Sequence, residues 1–134
     1  MQCFQPKKLV EYVKSPLFIF QSGFDSFQVR NTFSMDLYQA IKNHSSINPS
    51  HMALLQDFKQ QIIMALPHSS ATKEYIVTST FGHSFAFASY KKPMFADTNS
   101  EPIERAFRDW YFDKQPINFI DPSNVPYYPG TLSN

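Results

Sequence analysis

The chain is short of residues on which several protein classes depend. Its 134 residues include one cysteine, Cys3, which excludes a small domain held together by several disulfides. The four histidines are scattered along the chain, and no spacing among them matches a zinc site. Neither a metal nor a cofactor is therefore predicted.

Clustered charge and long apolar runs are also missing. The formal net charge is +1 and the 12 Lys and Arg residues are dispersed, which argues against nucleic acid and acidic membrane surfaces as partners. No apolar stretch approaches the roughly 18 residues of a membrane span, so no span is predicted. Residues 1–6 lack the apolar run of a secretory signal peptide, and we expect no such peptide in this sequence.

Apolar and aromatic residues, in contrast, are abundant. They make up 43% and 16% of the chain, with 14 Phe and 7 Tyr. This composition provides enough material for a packed core and argues against disorder throughout the chain. The length fits one domain or part of one, because typical domains centre on about 100–150 residues.

Helical and strand patterns alternate along the chain and predict an α/β fold. Helices are predicted over residues 6–13, 27–43, 51–66 and 101–112, and strands over residues 17–21 and 75–78. The second helix is expected in one or two pieces, and Ser50 is expected to cap the third. The first strand is a continuous apolar run, typical of a parallel sheet with helices on both faces. Two strands are too few for a stable parallel sheet, so the fold is expected to be incomplete as a domain.

Two of these helices carry an apolar stripe that is expected to face inward. The stripe of the third helix comprises Met52, Leu55, Phe58, Ile62, Met64 and Leu66. That of the last helix comprises Ile103, Ala106, Phe107 and Trp110.

Each predicted strand is followed by a turn with a proton-handling residue, Asp25 after the first and His83 after the second. Catalytic side chains are commonly presented at the carboxyl ends of strands in α/β sheets. The catalytic triad of α/β-hydrolases runs in the chain order Ser, then Asp or Glu, then His. The histidine takes the proton of the serine hydroxyl, and the carboxylate holds the imidazole in place. Asp25 followed by His83 is the order expected in the last third of such a fold.

Four segments match one family in a consistent order. Residues 3–19 have its helix and strand spacing, and residues 24–28, Phe-Asp-Ser-Phe-Gln, are similar to its Tyr-Asp-Ser-Trp-Gln turn. Residues 79–84, Ser-Thr-Phe-Gly-His-Ser, are similar to its Ser-Cys-Phe-x-His-Cys. Residues 108–113, Arg-Asp-Trp-Tyr-Phe-Asp, and the following Ile-Asp at 120–121 are similar to its last helix and tail. Together these segments resemble the C-terminal region of plant pectin acetylesterases and their animal relative Notum.

The resemblance implies a fold, an activity and two site residues. Residues 1–121 would be the C-terminal portion of an α/β-hydrolase domain, and residues 122–134 an irregular tail. The activity would be that of a serine carboxylesterase, with Asp25 as the triad acid and His83 as the triad base. The substrate implied for the full-length protein is an acyl ester on an acetylated polysaccharide or an acylated protein. The location implied for it is the secretory pathway or the extracellular space.

The same resemblance implies a partner. The family's serine lies upstream in a Gly-x-Ser-x-Gly elbow, and Gly23, Gly82 and Gly130 form no such elbow. The N-terminal half of the fold is therefore the expected partner, and this chain alone is expected to be inactive. The alternatives are a catalytically inactive remnant that acts as a binding module, and one half of a split enzyme.

The sequence departs from the family pattern beside the expected base. Thr80 and Ser84 stand where the family has two cysteines, and Cys3 matches a family cysteine but has no partner here. We expect packing and hydrogen bonds, rather than cross-links, to hold His83. Phe27 replaces the family's usual Trp.

Structural roles compete with catalytic ones. Asp25 could be a turn residue that bonds its own backbone, and His83 a buried structural histidine. In the last helix, structural roles are expected for Asp109, Trp110 and Tyr111. Three serines near the expected site lie in no elbow and are not expected to be nucleophiles: Ser26, Ser79 and Ser84. No function is assigned to the remaining histidines: His44, His51 and His68.

Overall fold

The computed structural model describes residues 6–68, 70, 72–83, 102–112 and 116–127. The elements run in the order α1 (Pro6–Tyr12), β1 (Leu17–Phe24), α2 (Ser26–Thr32), α3 (Met35–Lys42), α4 (Pro49–Met64), β2 (Lys73–Phe81), α5 (Ile103–Tyr111) and β3 (Asn118–Ile120). The three strands form one parallel sheet in the order β1-β2-β3. The predicted α/β class is therefore confirmed.

Both predicted strands are longer than their apolar runs. The pairing of β1 with β2 runs from Leu17 opposite Lys73 to Phe24 opposite Phe81, with an irregularity after Ser22. The Ser-Gly pair at 22–23 was predicted to be a turn, and this was wrong. Ser22 stays in the strand because its hydroxyl donates to the Thr80 carbonyl.

The sequence pattern missed β3, which has only three residues. Its Asn118, Phe119 and Ile120 pair with the middle of β2. Glu74, a buried residue of β2, helps to hold this strand by accepting a hydrogen bond from the Ile117 N–H at 2.7 Å. A strand of this length gives no periodicity, so its position depends on tertiary contacts.

Helices α2, α3 and α4 each begin at a residue whose side chain caps the first turn. The predicted cap of α4 was wrong: Asn48 Oδ1, not Ser50, accepts the His51 N–H at 2.8 Å. Pro49 occupies the first turn, where its missing N–H costs nothing. The helix expected over residues 27–43 is in two pieces, because Ser34 starts α3 by accepting the Leu37 N–H at 3.1 Å.

The core lies between the carboxyl end of the sheet and helices α2 to α4. Its buried residues are Phe24, Val29, Leu37, Ile41, Leu55 and Phe81. The stripe prediction for α4 is confirmed at Leu55 but wrong at Met64, which is exposed. Met64 lies two residues after Ile62, and side chains at that spacing point to different sides of a helix.

Helix α5 contacts the sheet through aromatic residues. The Phe18 ring of β1 lies 5.6 Å from that of Phe107 and 5.2 Å from that of Trp110. The inward prediction is confirmed for Ile103 and Ala106, whereas Phe107 packs by one side and stays largely exposed. Within the described ranges, no helix combines the length and apolar character needed to cross a membrane.

Candidate active site

Asp25 directly follows β1 and starts α2. Its Oδ1 atom accepts the Gln28 N–H at 2.9 Å, which makes it the N-cap of the helix. Its main-chain carbonyl accepts the Val29 N–H at 2.8 Å. The side chain is 7% exposed. The end of the strand and the start of the helix therefore fix this carboxylate from both sides.

His83 lies two residues beyond β2 and reaches the same carboxylate. Its Nδ1 atom is 2.9 Å from Asp25 Oδ2 and 3.1 Å from Oδ1. An ionised carboxylate can only accept hydrogen bonds, so Nδ1 carries the hydrogen and Nε2 is left as the basic nitrogen. The imidazole is 54% exposed, which leaves room for a reacting group beside it.

The backbone brings these two residues together although 58 positions separate them. Their strands are parallel neighbours, so both side chains emerge at the same edge of the sheet. The Ser26 N–H and the Gly82 carbonyl join the two turns at 3.4 Å. The Phe27 ring lies 5.0 Å from the imidazole and tilted by 30°, so the aromatic residue at this position packs on the histidine.

The structure brings together Asp25 and His83, for which the sequence predicted catalytic roles, and no described serine lies within hydrogen-bond distance of the His83 ring. Ser79 is fully buried, and its hydroxyl accepts from Lys59 at 2.8 Å and donates to the Ser123 carbonyl at 2.7 Å. The hydrogen bonds of His83 in this part of the chain go to Asp25 alone. Ser84 lies outside the described residues.

Sequence reasoning missed a buried lysine behind this pair. Lys59 of α4 is 2% exposed and sits between the sheet and the segment after β3. Burial lowers the pKa of its ammonium group, and the nearby Asp121 carboxylate opposes this shift. Its spacing in the sequence could have indicated this burial, because Lys59 lies four residues after Leu55, on the inward stripe of the helix.

The remaining predicted residues fall in ordinary structural roles. Asp109 is buried, and its Oδ1 atom accepts from Arg108 Nε and Nη2 at 3.1 Å. His51 lies next to the α4 cap, with its Nδ1 atom 3.3 Å from Asn48 Nδ2. Across the described segments, no three His, Cys, Asp or Glu side chains gather as metal ligands would.

Comparison with known proteins decides the family. A family model described as pectinacetylesterase matches residues 1–131. The chain belongs to this family. Its members among curated proteins include pectin acetylesterases 4, 11 and 7 of Arabidopsis thaliana, which are 23%, 24% and 25% identical to this chain.

These pectinacetylesterase relatives are much longer than the chain. The three alignments cover 90%, 92% and 89% of this chain but only 32%, 34% and 33% of the relatives. The chain thus spans about a third of their length. No solved structure matches it.

Proposed function

We propose that Asp25 and His83 are the acid and the base of the Ser-His-Asp triad of a pectin acetylesterase-type serine carboxylesterase. The observation that carries this proposal is the pair of short contacts between His83 Nδ1 and the buried Asp25 carboxylate, at 2.9 and 3.1 Å. The base is thereby oriented by an anion while its ring remains accessible. That combination is what a histidine needs to accept a proton and pass it on.

The proposed reaction is hydrolysis of an acyl ester in two steps. The serine oxygen attacks the carbonyl carbon while Nε2 of His83 takes the hydroxyl proton, and Asp25 stabilises the imidazolium that forms. The same proton passes to the departing alcohol, leaving an acyl-serine. A water then attacks this acyl group, with His83 again as the base, and a carboxylic acid and free serine result.

We propose that the serine comes from outside these 134 residues, in an α/β-hydrolase fold of which this chain is the C-terminal part. Gly23, Gly82 and Gly130 form no Gly-x-Ser-x-Gly elbow. Strand β1 lies at one edge of the described sheet, beside an apolar groove of about 480 Å³. The groove lies between α1, β1 and the end of α4, and its apolar lining includes Leu9, Val13, Leu17, Ile19, Ile62 and Leu66. This surface suits the packing of further sheet and helix.

The names of the relatives suggest the substrate class. We propose an acetyl ester on pectin for the complete protein, and an acylated protein as the competing substrate. The secretory pathway or the extracellular space is the location that fits a polysaccharide of this kind.

A second candidate function is one half of a split enzyme, whose serine lies on a separate chain. The same open groove favours it, because a separate chain could pack there. In that case activity appears only on mixing the two chains. A remnant that only binds ligands or another chain predicts no activity on mixing.

The test is to measure ester hydrolysis in the protein that carries the serine. This is either a longer form of the chain or the chain co-expressed with the first two thirds of an Arabidopsis relative. With p-nitrophenyl acetate, we expect His83→Ala to lower kcat by about 10⁴- to 10⁶-fold. His68→Ala, at an exposed histidine, is the matched control and should leave kcat unchanged. An active protein in which His83→Ala has no effect would overturn the proposal.

A further inference from the structure

We infer that Lys59 is a positioning residue that sets the spacing between Asp25 and His83. The inference rests on the proposed function, because it assigns a role within the same site. Its starting point is the environment of the ammonium group. Nζ donates to Ser79 Oγ at 2.8 Å and to the carbonyls of Asp121 and Ser123, both at 2.6 Å. An ammonium group has three hydrogens, so these bonds use all of them.

The lysine reaches the strand end that precedes His83. Ser79, its hydroxyl partner, lies in β2 four residues before the histidine. The Asp121 carboxylate accepts the Ser79 N–H at 3.1 Å, the Ser123 N–H at 2.9 Å and the Tyr127 hydroxyl at 2.7 Å. Lys59 and Asp121 together therefore tie the segment after β3 to the end of β2.

That segment also binds the last residues of β2 through its backbone. The Tyr127 N–H donates to the Ser79 carbonyl at 3.1 Å, and the Phe81 N–H donates to the Tyr127 carbonyl at 2.6 Å. On the other side, Thr80 is bonded to Ser22 of β1. The end of β2 is thus held from both sides just before the chain turns to His83.

The same lysine touches the strand end that precedes Asp25. Its stem packs on Gly23, where an added Cβ would lie 3.0 Å from Lys59 Cγ. Its Nζ atom lies 5.7 Å from the centre of the Phe24 ring. Gly23 and Phe24 are the two residues before Asp25. One buried side chain therefore contacts both strand ends from which the catalytic pair emerges.

Charge and burial explain why this position is sensitive. A buried ammonium group is costly unless all its hydrogen bonds are made, so its acceptors must stay where they are. Replacing Lys59 by Met keeps much of the stem but removes the three donors. The end of β2 would then relax away from β1, and the Nδ1 contact of His83 with Asp25 would lengthen.

The first readout is nuclear magnetic resonance of the imidazole in the chain itself. The unmodified chain should show His83 with its hydrogen on Nδ1 and in slow exchange with water. In Lys59→Met, and more weakly in Ser79→Ala, that hydrogen should exchange faster, and the tautomer with hydrogen on Nε2 should gain population. Lys42→Met, at an exposed lysine, is the control and should leave the signal unchanged. Ser79→Ala removes only one of the three acceptors of Lys59, so it can still test the inference if Lys59→Met does not fold.

The second readout is the kinetics of the serine-bearing protein. We expect Lys59→Met to lower kcat by up to about 100-fold with little change in KM, because misplacing a catalytic group by about 1 Å has that effect. Lys59→Arg, which keeps donors at this site, should recover part of the rate. Folded Lys59→Met and Ser79→Ala variants with unchanged His83 signals and unchanged kcat would overturn the inference. If instead the signals change but His83→Ala is fully active, the positioning holds and the proposed function fails.

Discussion

The two ends of β1 differ in how completely this chain packs them. At the carboxyl end, Ser22, Gly23 and Phe24 are buried, and Asp25 is held by α2 and His83. At the amino end, residues 17–21 are half-buried, and Leu17, Ile19 and Gln21 line the apolar groove. The chain thus builds the surroundings of the Asp25–His83 pair by itself. What it leaves open is the apolar groove beside this end of the strand.

The first prediction compares the same substitution, Leu to Ala, in the core beside the carboxyl end of β1 and in the groove beside its amino end. Leu55→Ala removes a fully buried side chain from the core under the site and should lower the free energy of unfolding by about 2–5 kcal/mol. Leu9→Ala is the matched change in the groove, where the leucine is 45% exposed, and should cost at most about 0.5 kcal/mol. Urea unfolding measures both. Equal losses would contradict the contrast between the two ends.

The second prediction tests how tightly the carboxyl end is packed. In Gly23→Ala the added methyl would lie 2.8 Å from the Thr78 carbonyl oxygen, so backbone must shift. We expect a loss of about 1–3 kcal/mol in unfolding free energy. The lower chain entropy of alanine in the unfolded state should not compensate for this loss. A Gly23→Ala protein as stable as the original would show that β1 and β2 have room to separate here.

The third prediction concerns pH and has the smallest expected effect. Burial lowers the pKa of Lys59 in the folded protein below the usual value of 10.5, which it keeps in the unfolded chain. At a pH between the folded and the unfolded pKa, the unfolded chain therefore binds the proton more often than the folded one. The stability contributed by this residue is therefore lowest below the lowered pKa and rises as pH increases through that window.

The difference in unfolding free energy between the original protein and Lys59→Met isolates this effect, because the other groups titrate alike in both. It should shift in favour of the original protein as the pH is raised from about 7 to about 10. Thermal or urea unfolding across this range measures it. A difference that falls with pH would mean that Asp121 outweighs burial and that the pKa of Lys59 is raised.

The sequence predicted the parts of this molecule that depend on local pattern. The apolar runs at β1 and β2, and the polar turns after them, were enough to place Asp25 and His83 at one edge of a parallel sheet. The division of residues 27–43 into two helices could also be predicted, because Ser34 is a favourable N-cap residue.

What depends on distant contacts was missed. Strand β3 exists because Glu74 and the middle of β2 offer hydrogen bonds, and three residues show no periodicity of their own. The burial of Lys59 could not be predicted with the same ease, because a lysine in a helix is usually solvated. Only the fold shows its acceptors, which lie in two segments 20 and 62–64 residues away.

The most direct test of the central claim is a double-mutant cycle on Asp25 and His83 in the serine-bearing protein. Residues that act as one unit are strongly non-additive. We predict that Asp25→Asn and His83→Ala each lower kcat severely, and that the double variant is no slower than His83→Ala alone. Asp36→Asn, at an exposed carboxylate of α3, is the control. Independent effects that multiply in the double variant, or an Asp25→Asn protein with normal kcat, would contradict the account.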